Sequence, residues 1–219
     1  MIVRLTISLV CVAATSAFAA PLDYPQRPVR VIVGGPAAGG ADILARAVAQ
    51  KLGLTAPAQA GDDELQADLF KLLAEVETDF TIFFRALARV PVESDPAATS
   101  DAALIEPLKP AFYDENAASA PAYVRTLAPW LRRYIARVRS DTAPAATRVE
   151  RMNRVNPKYV LRNYMAQLAI DGLAQNDPSV MERMMRVLKK PYDEQPGNDD
   201  LAERRPEWAR NRAGCSALS

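Results

Sequence analysis

The sequence predicts a mainly α chain with a short βα fragment near its start. Three observations carry that reading. Apolar residues make up 49% and charged residues 24% of the 219, the balance of a globular protein rather than a disordered or membrane-spanning one. From Thr55 onward, apolar side chains recur every three or four positions, which is the helical period. One short β-branched run, Val29 to Val33, stands ahead of that region and suits a buried strand.

Residues 1–19 read as a secretory signal peptide: Arg4 opens a basic start, Leu5 to Ala14 is apolar, and Ala17-Phe18-Ala19 is a small-x-small cleavage site. Export to the periplasm or outside is the expectation. The apolar run is too short for a stable membrane anchor, and Thr15 and Ser16 interrupt it. Residues 20–54 form the βα fragment. Between strand Val29–Val33 and a helix over 41–52 lies Gly34-Gly35-Pro36-Ala37-Ala38-Gly39-Gly40. Such a turn presents backbone N–H groups and a positive dipole end to an anion, with a flexible turn capped by Asp42 as the plainer alternative. It lacks the lysine of a Walker A loop and the spacing of the dinucleotide fingerprint.

Residues 55–219 are expected to be helical. Asp62, Asp63 and Glu64 complement the amino end of a helix carrying Leu65, Leu69, Leu72 and Leu73. A second helix starts at Thr78 or Asp79, carries Phe80, Phe83, Phe84, Leu87 and Val90, and stops at Pro91. After a Pro/Ala/Ser linker over 92–99 and a short segment over 104–108, Pro121 opens a long helix. Val124, Leu127, Leu131, Tyr134, Ile135 and Val138 make its apolar stripe, and its arginines a solvated face. Asn156-Pro157 and Asp177-Pro178 each read as an N-cap followed by proline in the first turn of a further helix. The second of these helices carries Met181, Met184 and Met185, which together with Met165 read as adaptable core packing. Asp62 to Glu64 read as helix-end charges rather than a metal cluster, and Lys158 as a surface lysine.

Composition removes several function classes. Lys plus Arg of 27 against Asp plus Glu of 26 leaves +1, so no field draws the chain onto nucleic acid. With no histidine, the Ser-His-Asp triad, the Cys-His dyad and His-containing metal sites are excluded. Two cysteines build neither a disulfide framework nor a four-thiolate metal site, so no metal site is expected.

The run YPQRPVRVIV, the glycine-rich turn and ADILARAVAQKLG resemble the amino terminus of the tripartite tricarboxylate receptors, the Bug family of periplasmic solute-binding proteins. That resemblance implies a small carboxylate held by Gly39, Gly40 and Asp42. Nothing after Leu54 continues the strand-helix alternation that two receptor lobes need. From KLGL at Lys51 onward, GDDELQADLFKLLAE, DFTIFFRALARV, ERMNRVNPKYVLRNYMAQLAIDGLAQND, LKKPYDEQPG and RPEWARNRAGCS are similar, in order, to the carboxyl-terminal part of the selenoprotein O family of protein adenylyltransferases. The resemblance implies the helical carboxyl-terminal part of a protein-kinase-like fold, whose full-length relatives use ATP and magnesium to transfer AMP to Ser, Thr or Tyr hydroxyls of cytoplasmic protein substrates. It also implies redox control at Cys215, with a plain tail thiol as the alternative. No glycine-rich kinase loop with a strand lysine, no catalytic-loop pattern and no Asp-Phe-Gly occurs. No catalytic residue and no cofactor are therefore expected for this chain, which reads as inactive alone. The two resemblances meet at Lys51-Leu52-Gly53, as in a fusion. A helical interaction module using the basic helix is the remaining alternative, and apolar helix faces are expected to lie exposed.

Overall fold

The computed structural model describes residues 40–55, 59–93, 95–141 and 144–215, and within them the chain is mainly helical. No strand occurs among the described residues, only an isolated antiparallel bridge between Thr78 and Phe112. The expected strand Val29–Val33, the turn up to Gly39 and the signal-like segment 1–19 lie outside them.

Helix α1 (Gly40–Lys51) ends in a Schellman motif: Gly53 N–H donates to Gln50 O at 2.9 Å and Leu54 N–H to Ala49 O at 3.0 Å. Gly53 adopts φ 72°, and a Cβ there would stand 2.7 Å from Met152 Cγ, so both conformation and space call for glycine. Helix α2 (Asp62–Glu75) buries Leu65, Leu69, Leu72 and Leu73 as its spacing requires. Helix α3 (Phe80–Leu87) is capped by Asp79, whose Oδ1 accepts from Ile82 N–H at 3.0 Å. Phe83, Phe84 and Leu87 are buried, but Phe80, expected in the same stripe, is exposed.

Ser100 caps α4 (Asp101–Ile105), a 3-10 turn follows over Glu106–Ala111, and Asp114 caps α5 (Glu115–Ser119). The longest helix, α6 (Pro121–Arg139), begins with the expected proline and buries Leu127, Leu131, Tyr134, Ile135 and Val138. Three of its aromatic side chains carry their polar tips into the core and satisfy carbonyls there. Tyr123 Oη donates to Leu72 O at 3.2 Å, Trp130 Nε1 to Leu65 O at 2.8 Å, and Tyr134 Oη to Leu52 O at 2.9 Å. These bonds fix the ends of α1 and α2 on α6.

Helix α7 (Ala145–Val155) was not foreseen from the periodicity. Asn156-Pro157 ends it instead of starting a helix. The Asn156 N–H donates to Met152 O, and its side chain is taken by Lys51, donating from Nδ2 to Lys51 O at 2.9 Å and accepting from Lys51 Nζ at 3.2 Å. Residues 157–162 then form neither helix nor strand, and the Lys158 and Tyr159 N–H groups both donate to Pro191 O. Helix α8 (Asn163–Ala174) therefore starts six residues later than the Asn-Pro signal implied. Helix α9 (Ser179–Leu188) starts one residue later than the Asp-Pro signal implied, with Pro178 at its N-cap and Asp177 Oδ1 accepting from Ser179 N–H at 2.9 Å. A 3-10 turn over Asp199–Ala202 and α10 (Glu207–Arg210) complete the described chain.

The main apolar core draws on α1 to α7, and a second, smaller cluster joins Tyr164, Met165, Ala169, Met184, Ala209 and Cys215. Residues 40–54, assigned from sequence to a separate fragment, contribute Val48, Leu52 and Leu54 to the main core. Of the methionines expected in the core, Met165 and Met184 are buried, whereas Met181 and Met185 are exposed with Leu161, Leu168 and Ile170. No helix among the described residues is long and apolar enough to cross a membrane.

Candidate functional site

The second cluster holds the one residue to which sequence resemblance gives a chemical role. Cys215 is completely buried. Its burial is built by segment 203–215, which crosses from the loop after α2 to helix α8. Arg205 pairs with Glu77 at 2.7 Å, and Arg210 pairs with the other oxygen of the same carboxylate. The Arg205 N–H donates to Tyr113 Oη at 3.1 Å, and its guanidinium stacks over the Tyr113 ring. Arg212 pairs with Asp171 at 3.0 Å and lies over Trp208, which meets Tyr164 edge to face.

Beneath that segment lies a buried ion pair. Arg162 Nη2 donates to Asp79 Oδ2 at 2.7 Å, with both side chains at most 3% exposed, and Arg162 Nε donates to Glu203 O at 3.1 Å. Asp79 thus serves two purposes: one oxygen caps α3 and the other anchors the residue before α8. Burial pushes the Tyr113 and Tyr164 hydroxyls above the usual phenol range, which keeps both neutral.

A second network flanks it. Arg85 is buried and donates to Asn153 O and Asn156 O, and it pairs with Glu194. Burial lowers the Arg85 pKa from its ordinary value. Lys158 holds Glu194 and Asp199 at 2.5 and 2.7 Å. Its hydrogen bond keeps the Glu194 carboxyl below the usual carboxylate range. Desolvation by itself would lower the Lys158 pKa, but the two carboxylates outweigh it and raise the value. Lys158 is therefore a largely covered structural cation and not the surface lysine expected.

Three of the five arginines of α6, Arg125, Arg133 and Arg139, are exposed, as a solvated face requires. Arg137 is covered between Asp62 and Asp141, Arg132 donates to Pro96 O and Thr99 O, and Arg139 donates to Glu93 O. Arg132 and Arg139 thereby tie the linker over 92–99 to the helix, and Arg137 is the arginine of α6 that the reading of a solvated face missed most clearly. Asp62 is correspondingly buried and not an open helix-end charge. Buried Arg148 donates to the carbonyls of Leu87, Ala88 and Val90, closing the end of α3. With Arg139 and Arg151 it lines an open cleft of about 350 Å³ that also contains Glu93 and Asp141. These are charges engaged in folding, and the cleft brings no nucleophile against a base.

Of the other sequence-designated residues, Gly39 lies outside the described residues. Gly40 opens α1 and Asp42 falls in its first turn, with the Asp42 side chain outside what is described. Among the described residues, no group of three or more Cys, Asp or Glu side chains is arranged to hold a metal ion.

Comparison with known proteins places this architecture. The family described as Protein adenylyltransferase SelO matches residues 42–189. That span takes in nearly all of α1. A "Protein nucleotidyltransferase YdiU" of Nitrosospira multiformis is 50% identical over 188 residues, covering 78% of this chain and 33% of the relative. Proteins of the same name from Rhodopirellula baltica and Xanthomonas axonopodis pv. citri are 45% and 47% identical, each over 78% of this chain. The chain spans about a third of the length of these relatives.

Proposed function

The chain belongs to the protein adenylyltransferase SelO family, and on that premise we propose that it is the helical carboxyl-terminal region of such an enzyme, without transferase activity of its own. The observation that carries this reading is the match over residues 42–189 by a chain spanning a third of its relatives. Within that family the reaction joins a protein hydroxyl oxygen to the α-phosphorus of ATP and releases pyrophosphate. That reading is supported by the charges of the described residues: the buried Asp62, Asp79, Arg85, Arg148 and Arg162, with the largely covered Arg137, are each engaged by another part of the chain, and no group of three or more Cys, Asp or Glu side chains converges among them. What this region supplies is a rigid helical body and, at Cys215, a buried thiol to which the family resemblance gives redox control.

The test is incubation of the 219-residue chain with ATP labelled at the α-phosphate, magnesium and a model protein, beside the full-length Nitrosospira relative. The proposal expects no transfer by this chain; labelling above a heat-killed control overturns it. The signal-like residues 1–19 support export, and the turn at Gly39, Gly40 and Asp42 supports a small-carboxylate ligand as a second role for the amino-terminal segment. A dicarboxylate that raises the unfolding temperature would support that role, because a ligand selective for the folded state must stabilise it.

A further inference from the structure

We propose that residues 203–215 form a strap, held shut mainly by arginine pairs, that opens as a unit and controls solvent access to Cys215. The backbone bonds within the strap are local, from Ala209 N–H to Pro206 O and from Cys215 N–H to Arg212 O. Its ties to the body are of another kind. Among them, Arg205 and Arg210 share the two oxygens of Glu77, Arg212 reaches Asp171, Arg204 reaches Glu115, hydrogen bonds join Tyr113 Oη and Arg162 to the strap backbone, and aromatic contacts add Arg204 and Arg205 over Tyr113 and Trp208 edge to face with Tyr164. The Arg210–Glu77 and Arg212–Asp171 pairs stand at 37 to 43% side-chain exposure, where water and salt weaken them. Only Ala209 and Cys215 are wholly buried from the strap, and they sit in the small cluster, apart from the main core.

A segment with few buried apolar contacts and exposed ionic ties opens at a free-energy cost well below global unfolding. Glu77 is the latch, because one carboxylate holds two arginines five residues apart. Opening uncovers the thiol without disturbing α1 to α7, whose core contains none of the strap. The inference is independent of what Cys215 does chemically.

The experiment is the rate of N-ethylmaleimide addition at Cys215, read by intact mass in a Cys11→Ser chain. Glu77→Gln is expected to label about five-fold faster than the parent with unchanged helix content. Arg210→Gln is expected to give a smaller increase through a different partner. About 0.5 M salt is expected to speed the parent and leave Glu77→Gln nearly unaffected, since screening acts on the pairs that the variant lacks. The strap is overturned if Glu77→Gln and Arg210→Gln both label at the parental rate, or if parental labelling follows global unfolding across a urea series.

Discussion

Replacing Asp79 by Asn should remove the charge that neutralises Arg162 while leaving the cap of α3 in place. Asparagine caps as well as aspartate does, so the bond to Ile82 N–H should survive. What is lost is the partner of a guanidinium only 3% exposed. Breaking a buried pair from one side costs about 3–5 kcal/mol because the remaining charge is uncompensated. Arg162 keeps its bond to Glu203 O, which puts the expectation near the lower end, about 3 kcal/mol. That is a large share of the roughly 5–15 kcal/mol available to a folded domain. Urea unfolding followed by circular dichroism measures it. The decisive comparison is Asp79→Asn with Arg162→Met in the same chain. Removing the orphaned charge should recover about 2 kcal/mol relative to the sum of the single changes. A loss below about 1 kcal/mol for Asp79→Asn, or strictly additive costs, would refute the assignment of this pair as the joint between α3 and α8.

Two other perturbations test different parts of the structure. Gly53→Ala should destabilise by more than about 1 kcal/mol, through the positive φ and the clash with Met152, and thermal unfolding would show it. An unchanged midpoint would mean that α1 does not pack on α7 as described. The Glu194 carboxyl is held low by Lys158; at Asp141 burial acts to raise the value and is outweighed by hydrogen bonds from Arg137 and Thr55. Groups with depressed folded values contribute fully above the ordinary carboxylate pKa, and the contribution is lost as pH falls through the folded values. The urea midpoint should therefore hold from pH 7 to about 5 and decline below about 4, less steeply in Glu194→Gln. A decline beginning near pH 6 would contradict this assignment.

The helices legible in the sequence are those whose burial is apolar and whose starts are capped locally. Leu65, Leu69, Leu72 and Leu73 declare α2, Asp79 declares the start of α3, and Pro121 that of α6. Helix α7 was illegible because it is anchored by Arg148 donating to carbonyls 58 to 61 residues away, which no hydropathy period records. Asn156-Pro157 misled for a similar reason: as a local signal it reads as a cap, but its side chain is engaged by Lys51, 105 residues distant. The long-range bonds of Arg137, Arg132 and Arg139 within a largely solvated arginine face were illegible because their partners, Asp62, Thr99 and Glu93, are separated from them in sequence. Cys215 was legible only by resemblance. Its burial follows from strap pairs with Glu77 and Asp171, and long-range ionic contacts of that kind leave no periodic trace.

The central claim is that this helical region has its buried charges engaged in its own fold and carries no nucleotide site of its own. Thermal unfolding of the 219-residue chain in a titration with ATP and magnesium tests it directly, since binding to the folded state must raise the midpoint. No saturable shift is expected up to millimolar nucleotide. A saturable rise, abolished by a substitution at Arg139 or Arg151 in the arginine-lined cleft, would contradict it.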